Sequence, residues 1–265
     1  MQGIILKDDK RYHYTENYLK NRGHTFCEID KPPAELDFVV FPFMGDIPQS
    51  TYDNNYFAAL KDKVQVFSGI RSPYLECKCK EHNLSYNVIM EDRAVQMKNA
   101  IPTSEGVIAY LIANRIDTLA NSRILIIGYG ACGSDLAKRL RGLGADVYAL
   151  VRNREKYSTA YADRISPIYI DELFEKVTFE IIINTVPEQV LGNDMIKNTG
   201  GALLVDIASK PHGFDIEYAK KFNEKSTILP GIPGKYATRC SGEIIGEYID
   251  FILKALQNNT IANDI

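Results

Sequence analysis

Short apolar runs alternate with amphipathic stretches through the first ninety residues: GIIL (3–6), a polar helical stretch near 12–22, HTFCEI (24–29), DFVVFPF (37–43), NNYFAALK (54–61), VQVFSGI (64–70), a helical stretch near 72–83 and SYNVIM (85–90). Strands that read as continuous apolar runs between helical patterns are strands buried on both faces, as in a parallel sheet. An open α/β domain is therefore expected over 1–100. Residues 102–120 then place Val107, Ile108, Leu111, Ile112 and Ile116 on one helical face, with Pro102 suited to a first turn. This stretch is read as a long linking helix.

The strand pattern restarts after it. RILIIG (123–128), DVYALV (146–151), ISPIYI (165–170), FEIIIN (179–184) and GALLVDIA (201–208) are five strands bracketed by helical pattern at 132–143, 153–160 and 171–176, and TILPGIPG (227–234) follows. This predicts a second doubly wound sheet over 121–235. Ile245, Tyr248, Ile249, Ile252 and Leu256 form one stripe of a last helix over 242–257, expected to return to the first domain.

Composition narrows the class. With 31 basic and 34 acidic side chains the net charge is −3, which offers no general field for nucleic acid or an anionic membrane. No apolar run approaches the roughly 20 residues of a membrane span, and the start, MQGIILKDDK, has no apolar leader core. The five cysteines, an odd number, are read as free thiols in a reducing cytoplasm. Cys77, Cys79 and His82 fall in a helical pattern where i and i+2 lie about 200° apart, so no metal site is expected from them.

The sharpest local signal is GYGACG (128–133). Gly128, Gly130 and Gly133 have the G-x-G-x-x-G spacing after a strand and at the mouth of a helix, with Ala131 and Cys132 in the phosphate loop between them. The first glycine makes the turn, the second admits a pyrophosphate, the third lets helix and strand pack closely, and the helix start faces the phosphates. The next strand ends VYALVRNREK, with Arg152 where an acidic residue would hold the ribose of NAD. A guanidinium there suits a 2′-phosphate, which favours NADP with NAD as the alternative; Arg152 stacking on adenine or facing solvent is the competing reading. Further strand ends bring Asn184, Thr185 and Val186, then Ala208, Ser209 and Lys210, toward the same crevice. Lys210 could hold a carboxylate or move a proton, or be a surface lysine.

IPTSEG (101–106) with Glu91–Asp92 before it, GYGACG (128–133), INTVP (183–187), DIASKP (206–211) and LPGIPGK (229–235), in that order, resemble the dipicolinate synthase A-subunit family along the whole chain. The resemblance implies a flavodoxin-like N-terminal domain and a Rossmann NAD(P)-binding domain. It implies oxidation of the dihydrodipicolinate synthase product, a branch from the lysine pathway, to dipicolinate, the calcium chelator of sporulation, together with a B subunit. Within that frame Ser104 and Glu105, at the expected helix start and domain junction, are candidates for anion binding or proton relay, against a plain capping role. Lys210 and Arg239 are candidates for the two substrate carboxylates. His212 stands where the family leads one to expect glycine, and Ala131–Cys132 where it leads one to expect an arginine-threonine pair.

Two other classes stay open. One is a related two-domain dehydrogenase acting on another small carboxylate, which for a 2-hydroxy acid needs a His-carboxylate pair; His212 is the histidine of the second half, and the sequence shows no acidic orienter for it. The other is a non-catalytic, cofactor-binding component of a larger enzyme. In each case a homo-oligomer is expected.

Overall fold

The computed structural model describes residues 1–6, 9–27, 36–44, 47–60, 63–114, 117–173 and 178–263, the last five of these as backbone only. It divides into two units, Met1–Lys98 with Ala237–Ile265, and Asn99–Tyr236.

The first unit contains β1 (Gln2–Ile5), α1 (Arg11–Lys20), β2 (Thr25–Phe26), β3 (Phe38–Val40), α2 (Asn54–Ala59), β4 (Gln65–Ser68), α3 (Pro73–Glu81) and β5 (Ser85–Val88). The strands are parallel in the order β2-β1-β3-β4-β5, the flavodoxin-like order. Alternate side chains serve its two faces: Ile4, Val39 and Val66 pack with Leu75 of α3, while Ile5, Phe38, Val40 and Phe67 pack with Tyr12 and Leu19 of α1.

The division falls inside α4 (Arg93–Asn114). The linking helix expected over 102–120 thus begins nine residues earlier, and Pro102 lies inside it. Asp92 sets the start, its Oδ1 accepting the Val95 N–H at 2.9 Å as an N-cap. Proline is costly inside a helix because it forgoes one i→i−4 bond, but the helix runs through it here. Ile116, expected on the same face, lies outside the described residues.

The second unit continues with β6 (Arg123–Ile127), α5 (Ala131–Gly142), β7 (Asp146–Leu150), α6 (Arg154–Ala162), β8 (Ser166–Ile168), β9 (Ile181–Asn184), α7 (Asn193–Lys197), β10 (Leu203–Asp206), α8 (Ile216–Ala219), β11 (Thr227–Ile228) and α9 (Ile232–Tyr236). Its sheet is parallel, in the order β11-β10-β9-β6-β7-β8. This is the Rossmann order, with six strands because TILPGIPG supplies a two-residue edge strand before its second half turns into α9. ISPIYI keeps only three strand residues and ends in a 3₁₀ turn over Ile170–Glu172, and the remainder of the helix expected at 171–176 lies largely outside the described residues.

α10 (Thr238–Asn263) is longer at both ends than the 242–257 expected. It belongs to the first unit, where Ile245, Ile249 and Leu253 join the α1 face of the core. Gly242 makes this packing close: a Cβ there would lie 2.3 Å from the Arg11 carbonyl oxygen, and Thr15 Oγ1 donates to the Gly242 carbonyl at 2.9 Å. Among the described residues no helix is long and apolar enough to cross a membrane.

Candidate functional site

In the second unit the strand order reverses between β6 and β9, and open α/β sheets bind ligands in the crevice at the carboxyl ends of such a pair. The turn after β6 builds it. Gly128 has φ +92°, and a Cβ on it would meet Val186 Cγ1 at 2.5 Å and Thr185 Oγ1 at 2.9 Å. Gly133 faces the Gly128 carbonyl, which would lie 2.2 Å from an added Cβ, so β6 and α5 touch through their backbones. Gly130 differs: nothing stands within 4 Å of the Cβ position. It is also the N-cap of α5 and brings no side-chain acceptor, so no side chain caps the first-turn N–H groups at Ala131 and Cys132.

Beside this loop, Thr185 donates from both its N–H (3.0 Å) and its Oγ1 (2.8 Å) to the Ile127 carbonyl. That pins β9 to β6 and uses up the hydroxyl; Val186, packed over Gly128, is the apolar wall. Cys132 is half-buried, its thiol pushed up by burial with Asp135 adding to the rise, although a hydrogen bond with Thr103 opposes both. The Thr103 contact brings α4 against the phosphate loop. On the same helix a Cβ at Gly106 would lie 2.3 Å from Ile232 and 2.9 Å from Tyr236, so IPTSEG and LPGIPGK pack together. Arg152, past the end of β7, is 87% exposed, with Glu188 the nearest carboxylate at 3.9 Å.

The ends of β9 and β10 hold a buried polar knot. Asp206 is fully buried and accepts from Asn184 Nδ2 (3.0 Å) and from the N–H groups of Ala208 (2.8 Å) and Gly213 (2.6 Å). Asn184 Nδ2 also donates to the Val186 carbonyl at 2.8 Å. The Asn184 side chain, expected to face a cofactor, is thus bound inward. His212 Nδ1 lies 3.6 Å from Asp206 Oδ1, so the histidine has the acidic neighbour that the sequence pattern did not reveal. Asp206 precedes His212 by six residues, and the loop between them folds back on itself.

The remaining candidates are dispersed. Ser104 is not at a helix start but in the interior of α4, fully buried, and its Oγ has no hydrogen-bond partner among the described residues. Glu105, also mid-helix, is exposed and meets Arg139 of α5 at 3.4 Å. Neither can use the α4 N-terminus, because the Asp92 cap places that terminus nine residues upstream of the expected start. Lys210 is exposed on the loop after β10. Arg239 belongs to the other unit, exposed at the start of α10 and 3.5 Å from Glu243. Cys77 is exposed and Cys79 buried, on different faces of α3, and no group of three metal-ligating side chains occurs among the described residues.

Comparison with known proteins adds four likenesses. Residues 90–204 match the family described as D-isomer specific 2-hydroxyacid dehydrogenase, NAD binding domain. The chain is 30% identical over 249 residues to the A-subunit of dipicolinate synthase from Bacillus subtilis, covering 89% of this chain and 84% of that protein. Among solved structures, those of the dipicolinate synthase A-subunit from Bacillus subtilis (TM-score 0.90, 24% identity, 98% and 97% of the two chains) and from Bacillus halodurans (0.88, 23%, 95% and 97%) share the fold.

Proposed function

The chain belongs to the dipicolinate synthase A-subunit family, and on that premise we propose that it oxidises the dihydrodipicolinate synthase product to dipicolinate, using NADP and a B subunit. That it carries a nicotinamide-dinucleotide domain of the dehydrogenase type follows from the 90–204 match; the reaction and its partners are our reading. The observation that carries it is the α5 entrance, where Gly130 leaves room for a pyrophosphate in front of an uncapped helix N-terminus. The bound cofactor would supply hydride acceptance. Backbone N–H groups of Ala131, Cys132 and Gly133 would hold its phosphates, and Val186 and Ala208 would line its nicotinamide side.

Residues 121–235 form the dinucleotide-binding domain in this reading, and 1–100 with the C-terminal helix the substrate side. Lys210, exposed on the loop after β10, is our candidate for a substrate carboxylate; Arg239, exposed in the other unit and 3.5 Å from Glu243, is the weaker one. The buried, unpartnered Ser104 Oγ supports its retention as a candidate for the substrate, while Glu105, paired with Arg139, is the weaker candidate for proton relay. The exposed Arg152 at the end of β7 supports NADP, because among the described residues its guanidinium meets only Glu188, at 3.9 Å, and is available to a 2′-phosphate. A homo-oligomer is supported by exposed apolar side chains on α4 and just past α5, Ile112 (62%) and Leu143 (47%). A cytoplasmic setting fits the five free thiols.

One observation favours a second reading. The approach of His212 to Asp206 is of the kind an alcohol-oxidising 2-hydroxyacid dehydrogenase requires. Both readings are tested by incubating the purified chain, with and without the B subunit, with NADP and either freshly generated dihydrodipicolinate or a panel of 2-hydroxy acids. Dipicolinate absorbance that depends on this chain and on NADP is the expected result; turnover of a 2-hydroxy acid alone would select the second reading.

A further inference from the structure

The knot at the end of β10 does more than close a loop. Three donors hold the Asp206 carboxylate, so it cannot rotate away from His212. The imidazole Nδ1 that faces it is buried and has no hydrogen-bond partner, yet the side chain as a whole keeps 24% of its exposure. An N–H buried without an acceptor is costly, and the acceptor within reach is Asp206 Oδ1 at 3.6 Å. That separation is longer than a hydrogen bond, and such pairs in unliganded sites tighten when the site fills. Placing the proton on Nδ1 leaves the lone pair on Nε2, at the accessible edge of the ring. His212 lies in the loop that follows β10, at the strand ends where ligands of such sheets bind.

We propose that His212, oriented by Asp206, is a base particular to this chain, at a position where the family pattern has glycine, and that it takes the ring proton during the oxidation; the proposal rests on the dipicolinate reading above. A dihydropyridine dicarboxylate loses two hydrogens on becoming aromatic. The C–H bond at one saturated carbon breaks with its electron pair, and the hydride passes to the nicotinamide of NADP⁺, which is reduced. The C–H bond at the other breaks toward Nε2 of His212, and its electron pair becomes the last ring double bond. His212 carries the proton as imidazolium, stabilised by the Asp206 carboxylate, and releases it to water.

The test compares wild type, His212→Gly and His212→Gln, each with the B subunit, dihydrodipicolinate and NADP, with and without added imidazole. NADPH affinity and thermal unfolding are measured in parallel. His212→Gly is expected to lower kcat by about 100-fold or more, a usual contribution of a general base, with NADPH affinity and melting temperature close to wild type. Imidazole should restore a large part of the His212→Gly rate and none of the His212→Gln rate, whose side chain fills the space. Near-wild-type kcat in His212→Gly, a change confined to KM, or a loss that imidazole leaves untouched would overturn the proposal while dipicolinate formation by wild type stood. Absence of dipicolinate from wild type would instead overturn the reading on which it rests.

Discussion

Gly130 and Gly133 lie three residues apart in one turn, and their surroundings demand opposite consequences of the same change. Gly133→Ala pushes a Cβ to 2.2 Å from the Gly128 carbonyl oxygen, backbone that cannot swing aside, and is expected to cost about 2 kcal/mol or more of stability. Gly130→Ala meets nothing within 4 Å and has φ −86°. It should melt like wild type and yet bind NADPH about tenfold or more weakly, since its methyl enters the space reserved for the pyrophosphate. Thermal unfolding and fluorescence titration of both variants separate the two effects. Arg152→Ala is the companion test of cofactor choice: the ratio of NADPH to NADH affinity should fall, and an unchanged ratio would remove the argument for a 2′-phosphate contact. Cys132 is expected to alkylate slowly at neutral pH, because burial raises its thiol and keeps the thiolate scarce. The rate should rise with pH beyond the range of an ordinary thiol, and NADPH should protect; mass spectrometry of the labelled peptide reads both.

Within the elements, the packing of α10 on α1 includes a buried charge. Asp250 of α10 is buried and meets His24 Nε2 at 3.0 Å and Lys254 at 2.8 Å. Burial on its own would raise this carboxyl, but the hydrogen bonds from Lys254 and His24 outweigh it and hold the group below the ordinary aspartate value. A carboxyl lowered in the folded state contributes stability above its unfolded value and loses it as pH falls through the folded one. Asp250→Asn should therefore melt several degrees below wild type at pH 7, and the gap should close in acid; a gap independent of pH would show that the charge is not what matters.

The same scale shows what the sequence could and could not reveal. Apolar runs located all five strands of the first sheet and the strands of the second, because central strands buried on both faces are apolar throughout, but the short helices α7, α8 and α9 carried no comparable pattern. Helix ends were harder. Pro102 is the conspicuous residue of α4, but Asp92, an ordinary aspartate in sequence, makes the cap. The glycine loop was legible because its spacing is specific, and Gly128 and Gly133 meet steric needs that a side chain would violate. The Asp206–Asn184–His212 knot was not, since its partners come from two strand ends and a folded-back loop, and only the sheet register brings Asp206 beside Asn184. Ser104 shows the same limit: shifting the helix start turned an expected terminal hydroxyl into a buried interior one.

At the scale of the whole molecule, two parallel sheets of flavodoxin-like and Rossmann order carry a net charge of only −3. A near-neutral surface of this kind suits a small dianionic metabolite and a phosphorylated cofactor better than a polyanion. The proposed chemistry is hydride transfer from a dihydropyridine dicarboxylate to a nicotinamide held at the β6–α5 turn. The most direct measurement is the stoichiometry of the reconstituted reaction of this chain with the B subunit, following NADPH and dipicolinate together in one sample. One NADPH for each dipicolinate is expected, and far less of both when this chain is replaced by its Gly130→Ala variant at cofactor concentrations well below that variant's Kd. Dipicolinate accumulating without NADPH, or forming equally well with this chain left out, would contradict it.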